Sequence, residues 1–179
     1  MEAWLRVAAF IDRISRFFAN IAAWLVLLSC LISAGNALSR YAFSISSNAW
    51  LEIQWQMFAG IFLLGTAHVL KLNEHVRVDI LYMGRTQRTK LWIDVFGLIF
   101  FLFPVTVMMI IEGGGFFADS FRVKEISASA GGLPLWPVKA LLPLGFALLL
   151  LQGVAELIKR IAGLQGDKRY QTAYEKPLQ

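Results

Sequence analysis

Of the 179 residues, 58% are hydrophobic and 16% charged, against roughly 45–50% and 25% in soluble proteins. A mean hydropathy of +0.61 excludes an ordinary soluble domain, and the length allows four membrane spans joined by short loops. The net charge of +5 could suggest a nucleic-acid ligand, but the basic residues flank apolar runs, so membrane topology accounts for them and no nucleic-acid partner is expected.

Residues 3–18, AWLRVAAFIDRISRFF, place Trp4, Val7, Ile11, Ile14 and Phe18 at three- and four-residue steps, with Glu2, Arg6, Arg13 and Arg16 off that face. The pattern predicts an amphipathic helix over 1–18 lying against membrane lipid at the bilayer interface, with Asp12 one turn from Arg16. The alternative is that it simply extends the first span. From Phe17 to Ser39 there are 23 uncharged residues, too long for the 7–15-residue core of a cleaved signal peptide. The single cysteine, Cys30, falls inside this run, so an internal disulfide is impossible and a buried packing thiol is expected. Residues 42–48 read as a short polar loop ending in Asn48, a candidate N-cap for span two.

Span two is expected over about 50–70. Ile53–Leu70 is 18 residues without formal charge, and at ~1.5 Å per residue it nearly crosses a ~30 Å hydrocarbon layer. Lys71, Glu74, His75, Arg77 and Asp79 then crowd the next nine positions, a density that lipid does not tolerate, so the chain leaves the membrane near Leu70. Glu52, Gln56, Ala59 or Gly60, Leu63 and Ala67 form a helical stripe that predicts a helix–helix contact face, with Arg40 a candidate partner for Glu52. Span three is expected over 91–111 with a kink at Pro104. The stretch 112–134, with five glycines, reads as an irregular or re-entrant loop. Span four is expected over 135–158, with Lys139 placed to snorkel. The remainder, 161–179, reads as a polar, disordered tail. The fold class is therefore all-α integral membrane protein, with four transmembrane helices over 17–160 preceded by the amphipathic helix.

Lysine and arginine set the orientation. The N-terminal segment carries Arg6, Arg13 and Arg16; the 71–90 loop carries Lys71, Arg77, Arg85, Arg88 and Lys90; the tail carries Lys159, Arg160, Lys168, Arg169 and Lys176. Only Arg40, Arg122, Lys124 and Lys139 fall on the other side. Both termini and the HVRVD run are thus expected in the cytoplasm, with 40–49 and 112–134 facing outward.

Chemistry finds little foothold. The two histidines, His68 and His75, lie seven apart on one segment and cannot face each other across a haem. His75 with Asp79 lacks the further ligands of a metal site, and no nucleophile–base pair or phosphate cradle is present. No cofactor, metal or catalytic residue is expected, and an enzyme is not. Glu52, Asp94, Lys139 and Glu156 sit near span ends, so a solute pathway through this chain alone is not expected either. A supporting subunit fits better, and a membrane anchor for a redox or signalling complex remains the alternative.

The stretch WLEIQWQMFAGIFLLGTAHVLKLNEHVRVDIL resembles the small membrane subunit of the tripartite ATP-independent periplasmic (TRAP) transporters, the DctQ-type family. The resemblance rests on Glu52 heading span two, the small-residue turn Leu64-Gly65-Thr66-Ala67, and His75-Val76-Arg77-Val78-Asp79. The later GGLPLWPVKALLPLGFALLLLQGVAE resembles the family's final span. This likeness implies a bacterial inner-membrane subunit that pairs with a large permease subunit and a periplasmic solute-binding receptor. It further implies ion-gradient-driven uptake of an organic acid, with the small subunit bracing the large one. On this reading Arg40, Glu52, Gln56, His75, Arg77 and Asp79 are candidates for structural and subunit contacts, not for substrate binding.

Overall fold

Lipid offers no hydrogen bonds, so each apolar run must satisfy its own backbone, and helices follow. The computed structural model describes residues 1–45, 47–74, 82–129 and 131–170, without the Lys168 side chain. The helices are α1 (Glu2–Phe43), α2 (Asn48–Leu72), α3 (Gln87–Gly97), α4 (Phe103–Arg122) and α5 (Trp136–Leu164). A π-helical turn, Leu98–Leu102, joins α3 to α4, and the pair forms one span. Four helices are thus long and apolar enough to cross a membrane, and the protein is an all-α, multi-pass membrane protein.

Polar side chains are gathered into the interior beside an apolar core, and the exterior is mostly apolar. Ser15, Ser29, Asn36, Glu52, Thr106, Ser120, Gln152, Glu156 and Arg160 are buried, while Phe17, Trp24, Leu31 and Leu38 of α1 are exposed. Polar groups turned inward and large apolar ones turned outward are the expected arrangement for a lipid solvent. On α1 the buried residues Ala8, Ser15, Ala22, Ser29 and Asn36 recur every seven positions. A seven-residue row keeps one narrow seam against a neighbour, and small side chains let the backbones approach.

The hub is α5. It packs against α1, α2, α3 and α4, whereas among the described residues neither α1 nor α2 packs against α3 or α4. Ala22, Leu64, Ala67 and Leu148 form the core between α1, α2 and α5, and Ala8, Ile11 and Ala155 form a second one toward the termini. Two glycines make the close crossings. A Cβ at Gly145 would lie 2.7 Å from Leu63 Cβ and 2.8 Å from Leu63 O of α2. One at Gly153 would lie 2.7 Å from Leu102 Cδ2 and 2.9 Å from Phe103 Cε1, on the opposite flank.

Several expectations change. The segment 1–18 is not a separate helix but the first turns of α1, which runs 42 residues or about 63 Å without a break. The reason is that its inward face is Ala8, Ile11 and Ser15, docked on α5, while Trp4 and Val7 point outward. Gly113, Gly114 and Gly115 lie inside α4, so the loop begins only at Val123. Gly113 packs closely there, where a Cβ would lie 3.1 Å from the Leu142 side chain. At Pro104 the disturbance takes the form of the π turn, and Thr106 Oγ1 donates to the Leu102 carbonyl at 2.8 Å. Ser47, not Asn48, caps α2, its hydroxyl accepting from Ala49 N–H at 3.3 Å. Cys30 is exposed on the lipid-facing side rather than buried. The tail remains helical to Leu164, and residues 171–179 lie outside the described residues.

The expected contact stripe of α2 holds in Glu52, Gly60 and Ala67, which are buried, and in Leu63, which presses on Gly145. Replacing Gly145 by Ala should destabilise the chain by roughly 1–3 kcal/mol, because Leu63 backbone must move. Gly114→Ala, with nothing within 4 Å, should stabilise it by roughly 0.5–1 kcal/mol through helix propensity alone. Thermal unfolding of the purified chain in detergent checks both; equal effects would contradict the close crossing.

Candidate functional site

Two polar assemblies organise the molecule, one at each end of the bundle. The first is at the loop end, where α1 and α4 finish and α2 and α5 begin. Glu52, in the second turn of α2 and only 4% exposed, accepts a hydrogen bond from Leu133 N–H at 2.7 Å. The hydroxyls of Ser127 and Ser129 bear on the same carboxylate. One turn on, Gln56 Nε2 donates to the Pro134 carbonyl at 3.4 Å. These two α2 residues therefore clasp the loop that joins α4 to α5.

That loop is a small closed hairpin, not a re-entrant segment. Ser127 N–H donates to Leu133 O and Leu135 N–H to Glu125 O, each at 3.0 Å. Gly132 is obligatory, since a Cβ there would lie 2.3 Å from Ser127 O. Glu125 pairs with Lys139 in the first turns of α5, and Lys139 also sits 4.0 Å over the Phe116 ring. Lys139 is thus occupied in closing the loop rather than snorkelling. The Lys139 ammonium and the Ser120 hydroxyl hold the Glu125 carboxyl below the usual carboxylate range.

Arg40 lies in the last turn of α1, and Glu52 is met by the loop's own N–H and hydroxyl groups. A buried carboxylate needs such donors, and in taking them it fixes the loop in place. His75, Arg77 and Asp79 lie outside the described residues.

The second assembly, at the end carrying the termini, joins every span. Gln152, fully buried on α5, accepts from Ser15 Oγ of α1 at 2.6 Å. Its Nε2 donates to Asp12 Oδ1 at 2.9 Å and to Glu156 Oε1 at 3.0 Å. Lys159 bridges the same two carboxylates, at 2.8 Å to Asp12 and 2.7 Å to Glu156. Arg160 turns to the other flank, with Nε 3.1 Å from Asp94 Oδ2 of α3 and a terminal nitrogen donating to Asn73 Oδ1 at 3.1 Å. Asn73 is the left-handed residue that ends α2. Tyr82 closes the circuit, its hydroxyl donating to Asp94 Oδ1 at 2.7 Å.

Asp12 therefore pairs across helices with Lys159, not along α1 with Arg16. Sequence reasoning missed this junction because Asp12 was placed on an interfacial helix and Glu156 at a span end. The signal was available: Gln152, Glu156 and Lys159 fall at steps of four and three, one polar face on an otherwise apolar helix. The lone pairs and protons of these groups bond to one another, which suits a fastener better than a binding site. Among the described residues no group of three His, Cys, Asp or Glu is placed to hold a metal.

The Glu125 geometry has a pH consequence. A carboxyl whose pKa is lowered in the folded protein stabilises it above the ordinary carboxylate value, and that contribution is lost as pH falls through the lowered value. The stability difference between the native chain and Glu125→Gln should therefore be present at pH 7 and shrink progressively as pH falls below the ordinary glutamate value of about 4.3. Thermal unfolding at stepped pH measures it; a difference that grows toward acid would contradict the assignment.

No curated protein and no solved structure matches this chain. A family model described as "Tripartite ATP-independent periplasmic transporters, DctQ component" matches residues 29–163, from the middle of α1 to the end of α5. The match takes in α2 with its Glu52 clasp and the Gln152–Arg160 face of α5. The family is one of transporter components rather than of enzymes. The chain belongs to the DctQ component family of the tripartite ATP-independent periplasmic transporters.

Proposed function

We propose that this chain braces the large permease subunit of a TRAP transporter during ion-gradient-driven uptake of an organic acid. A periplasmic solute-binding receptor delivers the cargo, the large subunit carries it, and this chain keeps the scaffold rigid in the inner membrane. The observation that carries the reading is the junction on α5. Asp12, Asp94, Gln152, Glu156, Lys159 and Arg160 bond to one another across α1, α3 and α5, so the polar groups join helices rather than line a path. A brace needs this arrangement, because a partner that moves must push against something that does not.

The asymmetry of lysine and arginine supports a cytoplasmic position for both termini and the junction, with the Glu52 clasp and its hairpin outside. The outer hairpin is then the part of the chain available to the receptor. Arg40, and the HVRVD run with His75, Arg77 and Asp79, are proposed contacts of the large subunit. The anchor reading has no comparable support, since the family is a transporter component.

Solute uptake into reconstituted vesicles tests the proposal. Vesicles holding this chain alone should take up nothing. Those with the large subunit and receptor should transport, and omission of this chain should abolish the activity. Uptake by the chain alone would contradict a supporting role.

A further inference from the structure

The continuation of α4 through Gly113–Gly115 draws Glu112, expected at the start of the outer loop, into a membrane-spanning helix. Packing fixes its depth. Gly113 lies against Leu142 and Pro143 of α5, and Gly145 of α5 lies against Leu63 of α2. Because α4 runs antiparallel to α5 and α2 runs parallel to it, Glu112 is level with Ile61 and Phe62 of α2, the midpoint of the uncharged run Ile53–Leu70. Along its own helix the nearest charged residue is Asp119, seven positions or about 10 Å away.

Yet the residue is turned outward. Glu112 is exposed, and among the described residues it makes no hydrogen bond or ion pair. The carboxylates of Asp12, Glu52, Asp94 and Glu156 are all answered within the chain. A carboxylate facing lipid at half-depth is expensive, and charges inside a membrane almost always find a partner. The headgroups are roughly 13 Å away, beyond the reach of a glutamate side chain. Met108 and Gly115, about one turn to either side, are exposed on the same face, and a Cβ at Gly115 would meet nothing within 4 Å. A glycine so placed lets a second helix approach closely. Another copy of this chain cannot answer the charge. Its lysines and arginines all fall outside residues 17–39, 53–70, 95–118 and 140–158, so at this depth it offers only another carboxylate.

We infer that Glu112 pairs with an arginine or lysine on a transmembrane helix of the large permease subunit, seated against Met108 and Gly115 of α4. The inference rests on the proposed pairing with that subunit and specifies the face and the charge that carry it.

Co-purification of the co-expressed subunits in mild detergent tests it. Glu112→Gln removes the charge at nearly constant shape and should weaken association roughly tenfold or more, and Glu112→Lys should weaken it further. Neither should lower the melting temperature of the isolated chain. With Glu112→Lys in place, exchanging each membrane-depth arginine or lysine of the large subunit for glutamate in turn should restore association at one position. In a Cys30→Ala background, Gly115→Cys should cross-link to the large subunit, which locates the face even if a charge variant folds poorly. Full association of both Glu112 variants, with no cross-link, would overturn the assignment while leaving the pairing intact. A loss that no charge exchange restores would remove the cation as the partner. A cross-link between two copies of this chain instead would assign the face to self-association and also overturn the inference. Failure of the unmodified chains to associate would overturn the pairing itself.

Discussion

A charge or amide inside a membrane protein must find its partner within the protein, and Gln152 on α5 is where this chain meets that requirement. Its side chain is fully buried and bonded at once to Ser15, Asp12 and Glu156. Lys159 and Arg160, both about two turns further along, extend the same assembly to opposite flanks. The rest of the architecture depends on this, because α1 and α2 do not touch α3 or α4 among the described residues. Without α5 and its polar face the bundle would be two separate halves.

Buried ion pairs are weak evidence for stability, since desolvation cancels most of the attraction. Their better-attested contribution is register. Apolar helices in lipid slide and rotate against one another at small cost, because lipid tails compete equally for their surfaces. A carboxylate such as Asp94 that must meet Arg160, or an Asp12 that must meet Lys159, permits one alignment only. The same logic operates at the other end, where Glu52 and Gln56 fasten a hairpin instead of a helix. The chain is thus pinned at both ends by polar groups and joined between them by apolar contacts, which suits the bracing role proposed above.

Much of this was legible in the sequence. Four apolar runs gave four spans, and the density of charge after Leu70 placed the end of α2 within two residues. The stripe through Glu52, Gly60 and Ala67 was found because helical spacing and small side chains are local signals. What escaped was long-range. The inward turn of Asp12 depends on Lys159, 147 residues away, and no local pattern distinguishes a helix lying on lipid from one docked on a neighbour. Likewise Gly113–Gly115 read as a loop because glycine disfavours helices in water. In α4 Gly113 lets the Leu142 side chain approach closely, and lipid leaves a backbone no alternative to helix.

The central claim is that the polar face of α5 locks the first turns of α1 to the bundle. A double-mutant cycle on Asp12→Asn and Lys159→Met, read as thermal stability in detergent or nanodiscs, addresses it most directly. Coupling of roughly 1–3 kcal/mol between the two substitutions is the predicted result. Strictly additive effects would mean that the two side chains do not act on each other, and would contradict the account.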